Sequence, residues 1–152
     1  MARNGYTLVE LVVVVLIIGV LTCVAVPHFS WGAVRGATAD TFVQQLTTDL
    51  RRTRTHAIVQ AGRNPAGFAL VMDGVAPYRG YHIIDLHDST VVVTREIPAG
   101  VRCTEGQCFA FGPLGNLHED SDVRLRVAGE SRAYTLTMVR ATGAVRWVRD
   151  RP

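Results

Sequence analysis

The sequence predicts an α+β chain, in which a long N-terminal helix packs on a mostly antiparallel β domain. The first half of that helix is transmembrane in character and the second half amphipathic. Three observations predict this. An apolar run fills residues 6–26 and is broken by one carboxylate, Glu10. Apolar side chains then recur at helical spacing over residues 42–58. Beyond residue 63, short segments rich in Val, Ile, Tyr and Thr alternate with Gly, Pro and Asp. A length of 152 residues leaves room for one ordinary domain plus an anchor.

The N-terminal element comes first. Residues 6–26 make about 31 Å of helix at a rise of 1.5 Å per residue, enough for a bilayer core. The preceding "MARN" carries Arg3 and the amino terminus, so the positive-inside rule leaves this end cytoplasmic and the part after Pro27 outside. Three processing patterns compete. A secretory signal needs a small-x-small cleavage site after the apolar run, and "TCVAVPHF" offers a poor one. A lipoprotein signal uses "VLTC" with Cys23, but Thr22 stands where a small residue belongs. The third pattern cuts before the apolar run, after Gly5.

For that third pattern, "GYTLVELVVVVLIIGVL" resembles the class III signal of type IV prepilins and type II secretion pseudopilins. The resemblance implies that a dedicated prepilin peptidase cuts between Gly5 and Tyr6 and that Tyr6 is N-methylated. It makes Glu10, five residues into the mature chain, the assembly residue. Phenylalanine is commoner at the first mature position, so Tyr6 is a small departure. An ionised group inside an apolar span costs about 2.5–3.5 kcal/mol unless compensated. Buried charges persist when paired. The freed amine of a neighbouring subunit supplies a partner for Glu10 and sets register; pairing with its own chain's amine, easing insertion alone, is the other reading.

The second element is the helix continuation, residues 27–62. Pro27 ends or kinks the span. Phe42, Leu46, Leu50 and Ala57 then draw one apolar face, widened by Val43 and Ile58, with Arg51, Arg52, Arg54 and His56 on or beside the polar side. "QAGRNP" stops the helix with Gly62 and Pro65. The whole reads as one helix from about Tyr6 to Gln60.

The third element is the β domain, residues 63–152. "GFALVMDG", "GYHIIDLHD", "TVVVTREIP", "CFAFGPLG", "DVRLRVAG", "RAYTLTMV" and "GAVRWVRD" read as strands. Val123, Leu125 and Val127 share one face, Arg124 and Arg126 the other. The helix end "LRRTRTHAI" (Leu50, Arg51, Arg54, Ala57, Ile58) and the "FGPLG" segment (Phe111, Gly115) are similar to the minor pseudopilin GspH and FimT-like group. That likeness implies a low-abundance subunit at or near a filament tip, with other pilins or pseudopilins as partners. It also implies a single-pass protein of a bacterial inner membrane, periplasmic in its globular part and filament-associated after assembly.

Other residues invite chemistry. Cys103 and Cys108 bracket "CTEGQC" and read as a local disulfide, which needs an oxidising compartment; two free thiols on neighbouring strands are the alternative. His82, Asp85, His87 and Asp88 fall close together, but Asp85 and His87 alone share a strand face, and two ligands make no metal site. "HEDSD", residues 118–122, offers oxygens without a recognisable calcium pattern. Arg140, Arg146, Arg149 and Arg151 make the tail basic. FimT-group relatives in DNA uptake hold phosphates with such a tail and a G-R-x-R motif. Here Gly143 and Arg146 are kept but Ala144 replaces the first arginine, so Arg140, Arg146 and Arg149 make a weak case for DNA. All 16 basic residues are arginine, and the net charge of +3 accommodates nucleic acid or anionic lipid without demanding either. No hydrolase elbow, zinc-protease pair, P-loop or dinucleotide fingerprint is present. The expectation is a structural subunit without cofactor or metal: first a minor pseudopilin of type II secretion, second a minor type IV pilin for adhesion, motility or DNA uptake.

Overall fold

The computed structural model describes residues 7–25 and 31–151. The chain divides into two units, Met1–Ala33 and Val34–Pro152. In the first, helix α1 runs Leu8–Ala25. Thr7 caps it: the Glu10 backbone N–H donates to Thr7 Oγ1 at 3.3 Å, and Leu11 N–H to the Thr7 carbonyl. Among the described residues no helix is long and apolar enough to cross a membrane. The span expected over 6–26 takes in Tyr6 and Val26, which lie outside the described residues, as does the Pro27 kink and with it the continuity of the two helical halves.

Helix α2 spans Trp31–Val59. Its expected stripe is buried at Phe42, Val43, Leu46, Leu50 and Ala57, and Ala39 extends it. Ile58 departs from the expectation and is 41% exposed. It lies one turn beyond the half-buried Arg54, at the margin of the stripe rather than its centre. The helix closes through Gln60, whose carbonyl accepts from Arg63 N–H at 2.8 Å and Asn64 N–H at 2.7 Å. Asn64 then fastens the turn into the first strand. Its Nδ2 donates to the Gly67 carbonyl and its Oδ1 accepts from Gly67 N–H, at 2.8 and 2.9 Å. Gly67 has φ +84°, and a Cβ there would stand 2.0 Å from the Phe111 carbonyl oxygen, so glycine is required.

The strands are β1 (Phe68–Met72), β2 (Gly80–Asp85), β3 (Val91–Glu96), β4 (Arg102–Thr104), β5 (Cys108–Phe111), β6 (Val123–Ala128), β7 (Ala133–Met138) and β8 (Val145–Arg149). They form two four-stranded sheets, ordered β3-β2-β1-β5 and β4-β6-β7-β8, with every named pairing antiparallel. Strand β4 was not expected; at three residues it is too short to show a period. The chain enters the second sheet at β4, returns to the first at β5, and crosses again before β6. Between the sheets, Leu70, Tyr81, Phe109, Leu125 and Leu136 join the α2 stripe in one core. Each fully buried large side chain contributes about 1.5–3 kcal/mol relative to exposure.

Two polar ties fix α2 on the sheets. Buried Asp49 accepts from Tyr81 Oη at 2.7 Å and lies 3.6 Å from Arg95 Nε. Burial, then the hydrogen bond to Asp49, pushes the Tyr81 phenol well above its ordinary range. About two and a half turns earlier on the helix, Asp40 accepts from Arg132, just before β7, and from Tyr134 on β7.

Candidate functional site

Every large apolar side chain of α1 from Leu8 to Leu21 is exposed, between 49% for Val13 and 81% for Leu8. The helix has no polar face to turn outward; its apolar residues run all the way round. Covering the part of these twelve side chains that is exposed, between 49% and 81% of each, is worth on the order of 10–20 kcal/mol. That equals or exceeds the net stability of a typical domain. A surface of this kind is stable only under lipid or other protein. Glu10 is an exposed carboxylate in the first turn of this helix, where a negative charge also suits the helix dipole. The cleavage position Gly5 and the methylation position Tyr6 lie outside the described residues.

The motif residues near the helix end meet in one place. Arg54 Nε donates to the Gly115 carbonyl at 3.0 Å. Gly143 packs so closely on the same carbonyl that a Cβ would stand 1.9 Å from it, and 3.0 Å from Arg54 Nε. Arg54, Gly115 and Gly143 therefore lock α2, the loop after β5 and the β7–β8 turn together. Gly115 itself has φ +76° and faces Ile58. The sequence marks each of these residues as a motif position, but their mutual contact arises only from long-range packing.

The disulfide expected between Cys103 and Cys108 is not formed: both thiols are free. Cys103 points into the core from β4 and Cys108 is exposed on β5, so strands of different sheets carry them. The alternation of each strand, rather than the loop between them, sets the direction of the two side chains. Burial pushes the Cys103 thiol up to about 12. Burial, then the Glu119 carboxylate, raises that of Cys108.

The other polar clusters have local partners. His82 Nδ1 meets Asp73 Oδ1 at 2.5 Å, away from Asp85. Asp85 accepts from Asn64 Nδ2 at 2.6 Å and from His87 N–H at 2.8 Å, and Asp88 from Thr90 N–H. In "HEDSD", Glu119 Oε1 accepts from Ala110 N–H at 3.2 Å, and Asp122 Oδ1 from Arg140 N–H at 2.8 Å. These carboxylates close turns and the edge of β5. The three arginines proposed for DNA are not one group. Arg140 lies in the β7–β8 turn, whereas Arg146 and Arg149 stand an odd number of residues apart on β8 and so face opposite sides of the sheet.

Residues 1–25 match the model of the prokaryotic N-terminal methylation motif. No curated protein matches the chain in sequence. The fold is similar to the crystal structure of the type IV minor pilin FimU of Pseudomonas aeruginosa (strain PAO1), with a TM-score of 0.58 at 14% identity. That similarity covers 78% of this chain and 90% of the other. The methylation motif thus lies at one end of the chain, and over most of the rest the likeness is one of fold.

Proposed function

We propose that the chain is a minor structural subunit of a pilin-type filament, with assembly rather than catalysis as its mechanism. Prepilin peptidase cuts after Gly5, Tyr6 is N-methylated, and the apolar helix holds the subunit in the inner membrane with its β domain on the periplasmic side. On assembly the helix exchanges lipid for the helices of neighbouring subunits. Glu10 then neutralises a neighbour's N-terminal amine and fixes register. The observation that carries this reading is a helix apolar on every side, bearing one carboxylate in its first turn, within a methylation motif.

Within that class the sequence favours a minor pseudopilin of type II secretion over a minor type IV pilin. A likeness of fold at 14% identity bears equally on both. Deleting the gene and measuring protein export beside surface piliation separates them, since loss of export with pili intact assigns the secretion pseudopilus. The shared premise is tested by Glu10→Ala. The variant should be processed and membrane-resident but absent from sheared filaments; normal incorporation would remove the assembly role.

A further inference from the structure

We infer that the free edge of β8 takes up an extended, acidic stretch of another polypeptide as an additional strand of the second sheet. The two sheets end in β3 and β5, and in β4 and β8. Unpaired N–H and C=O groups along such an edge are a template for a further strand, and proteins block most of them. Three of these four edges are blocked. On β5, the outward Ala110 N–H donates to Glu119 Oε1 and the Ala110 carbonyl accepts from His118 N–H. On β4, the Cys103 carbonyl accepts from Tyr78 N–H at 3.2 Å. On β3, the register shifts opposite Ile83 and Ile84, and a bulge of this kind bends the strand and interrupts pairing.

Strand β8 has none of these devices. It pairs with β7 along its whole length without a shift. Val139 N–H donates to the Ala144 carbonyl, and Asp150 N–H to the Ala133 carbonyl. Hydrogen-bonded pairs alternate along an antiparallel ladder. Arg146 and Val148 therefore bond to β7, while the backbone groups of Val145, Trp147 and Arg149 point away from it. Among the described residues those outward groups have no backbone partner. The side chains along the edge are open too: Trp147 is 44% exposed and Val148 67%. Tyr134 meets the Trp147 ring edge-to-face at 5.7 Å, which fixes the ring as an apolar wall beside the edge.

The backbone selects the class of partner. Donors and acceptors alternating at strand spacing match an extended polypeptide. The phosphate chain of a lipid or nucleic acid offers acceptors alone and would leave the outward carbonyls unanswered. Charge then selects the sequence of that polypeptide. Arg146 on the outer side and Arg149 on the core side flank Trp147, and among the described residues neither makes an ion pair. Asp150, the next residue, is taken by Arg126 and by Thr135 Oγ1. A matching strand therefore carries an acid opposite each of the two arginines and an apolar residue opposite Trp147. A second copy fails this requirement. Pairing β8 with itself about Trp147 would bring both arginines of each chain to one seam, with no carboxylate in either strand.

The test titrates the full-length chain in detergent micelles with the fluorescein-labelled peptide TDVLEVT. In antiparallel register this peptide sets its Asp against Arg149, its Leu against Trp147 and its Glu against Arg146. At saturation, amide hydrogen exchange of Trp147 and Arg149 should slow at least about tenfold, while that of Val148, already bonded to β7, should change little. N-methylation of the peptide leucine, whose N–H faces β8, should weaken binding at least about tenfold, the loss of one hydrogen bond. N-methylation of its glutamate, whose N–H faces away, should leave binding within about twofold of the parent peptide. The peptide TKVLKVT should bind R146E/R149E and not the parent chain. Equal binding of the two methylated peptides overturns the assignment, as does equal binding of TKVLKVT and TDVLEVT, or unchanged exchange at Trp147 with TDVLEVT in excess. Slow exchange at Trp147 in a dimeric chain without peptide gives the edge to a second copy and overturns it as well.

Discussion

Gly143→Ala tests how the helix end is locked to the β domain. Gly143 has φ +62°, and its added Cβ would lie 1.9 Å from the Gly115 carbonyl oxygen. Two costs combine. Left-handed backbone costs a non-glycine residue about 1–2 kcal/mol. Relief of the clash must move the Gly115 carbonyl, which disrupts its 3.0 Å bond from Arg54, a charge-assisted contact worth about 1.5–3 kcal/mol. The sum is about 3–5 kcal/mol, or a fall in Tm of about 10–20 °C for a domain of this size. Two other glycines separate the terms. Gly100 has φ +86° with nothing within 4 Å of a Cβ, so Gly100→Ala carries the backbone cost alone. Gly62 has neither positive φ nor a neighbour within 4 Å, so Gly62→Ala should stay within about 0.5 kcal/mol of the parent. Thermal unfolding of the three variants, followed by circular dichroism, gives the order Gly143 > Gly100 > Gly62. Equal Tm values for the first two would refute the steric argument.

Other expectations follow from the same contacts. Asp49→Ala should destabilise by about 1–3 kcal/mol by leaving buried Tyr81 Oη without its acceptor, and a double-mutant cycle with Tyr81→Phe should show coupling above about 0.5 kcal/mol; additive losses would mean that the pair does not act together. A thiol reagent should modify Cys108 in the native protein and Cys103 only after unfolding; failure of both Cys103 and Cys108 to react in either state would restore the disulfide. Stability should fall as pH rises above about 9: the unfolded Cys103 thiol loses its proton at its ordinary 9.0 while the folded one keeps it to about 12, so the native state binds more protons in that window. Cys103→Ala should make that decline shallower, leaving the part contributed by the Cys108 thiol, which is also raised; an unchanged pH profile would show that the Cys103 thiol is not a cause.

Much of the fold is legible because its strands alternate and its helix has one apolar stripe. Arg124 and Arg126 face out while Leu125 and Val127 face in, as a period of two requires. Phe42, Leu46 and Leu50 are buried for the same kind of reason. What escaped the sequence depends on long-range packing. Asp49 looks like a surface residue of a charged helix face, yet the Tyr81 hydroxyl across the sheet makes its burial tenable. Cys103 and Cys108 are near neighbours in sequence but end on different sheets, because the chain changes sheets within the loop between them. The basic tail reads as one patch, but strand alternation sends Arg146 outward to join Arg102 and Arg124, which no linear reading groups together. The apolar helix and its Glu10 were evident from the start, since their signal is local and needs no packing to be read.

The central claim concerns the mature amino terminus, and mass spectrometry of the protein from its native membrane tests it most directly. The account predicts a chain that begins at Tyr6, carries one N-terminal methyl group and retains Glu10. A chain beginning at Met1, or cut after Ala25 with the apolar helix removed, would contradict it.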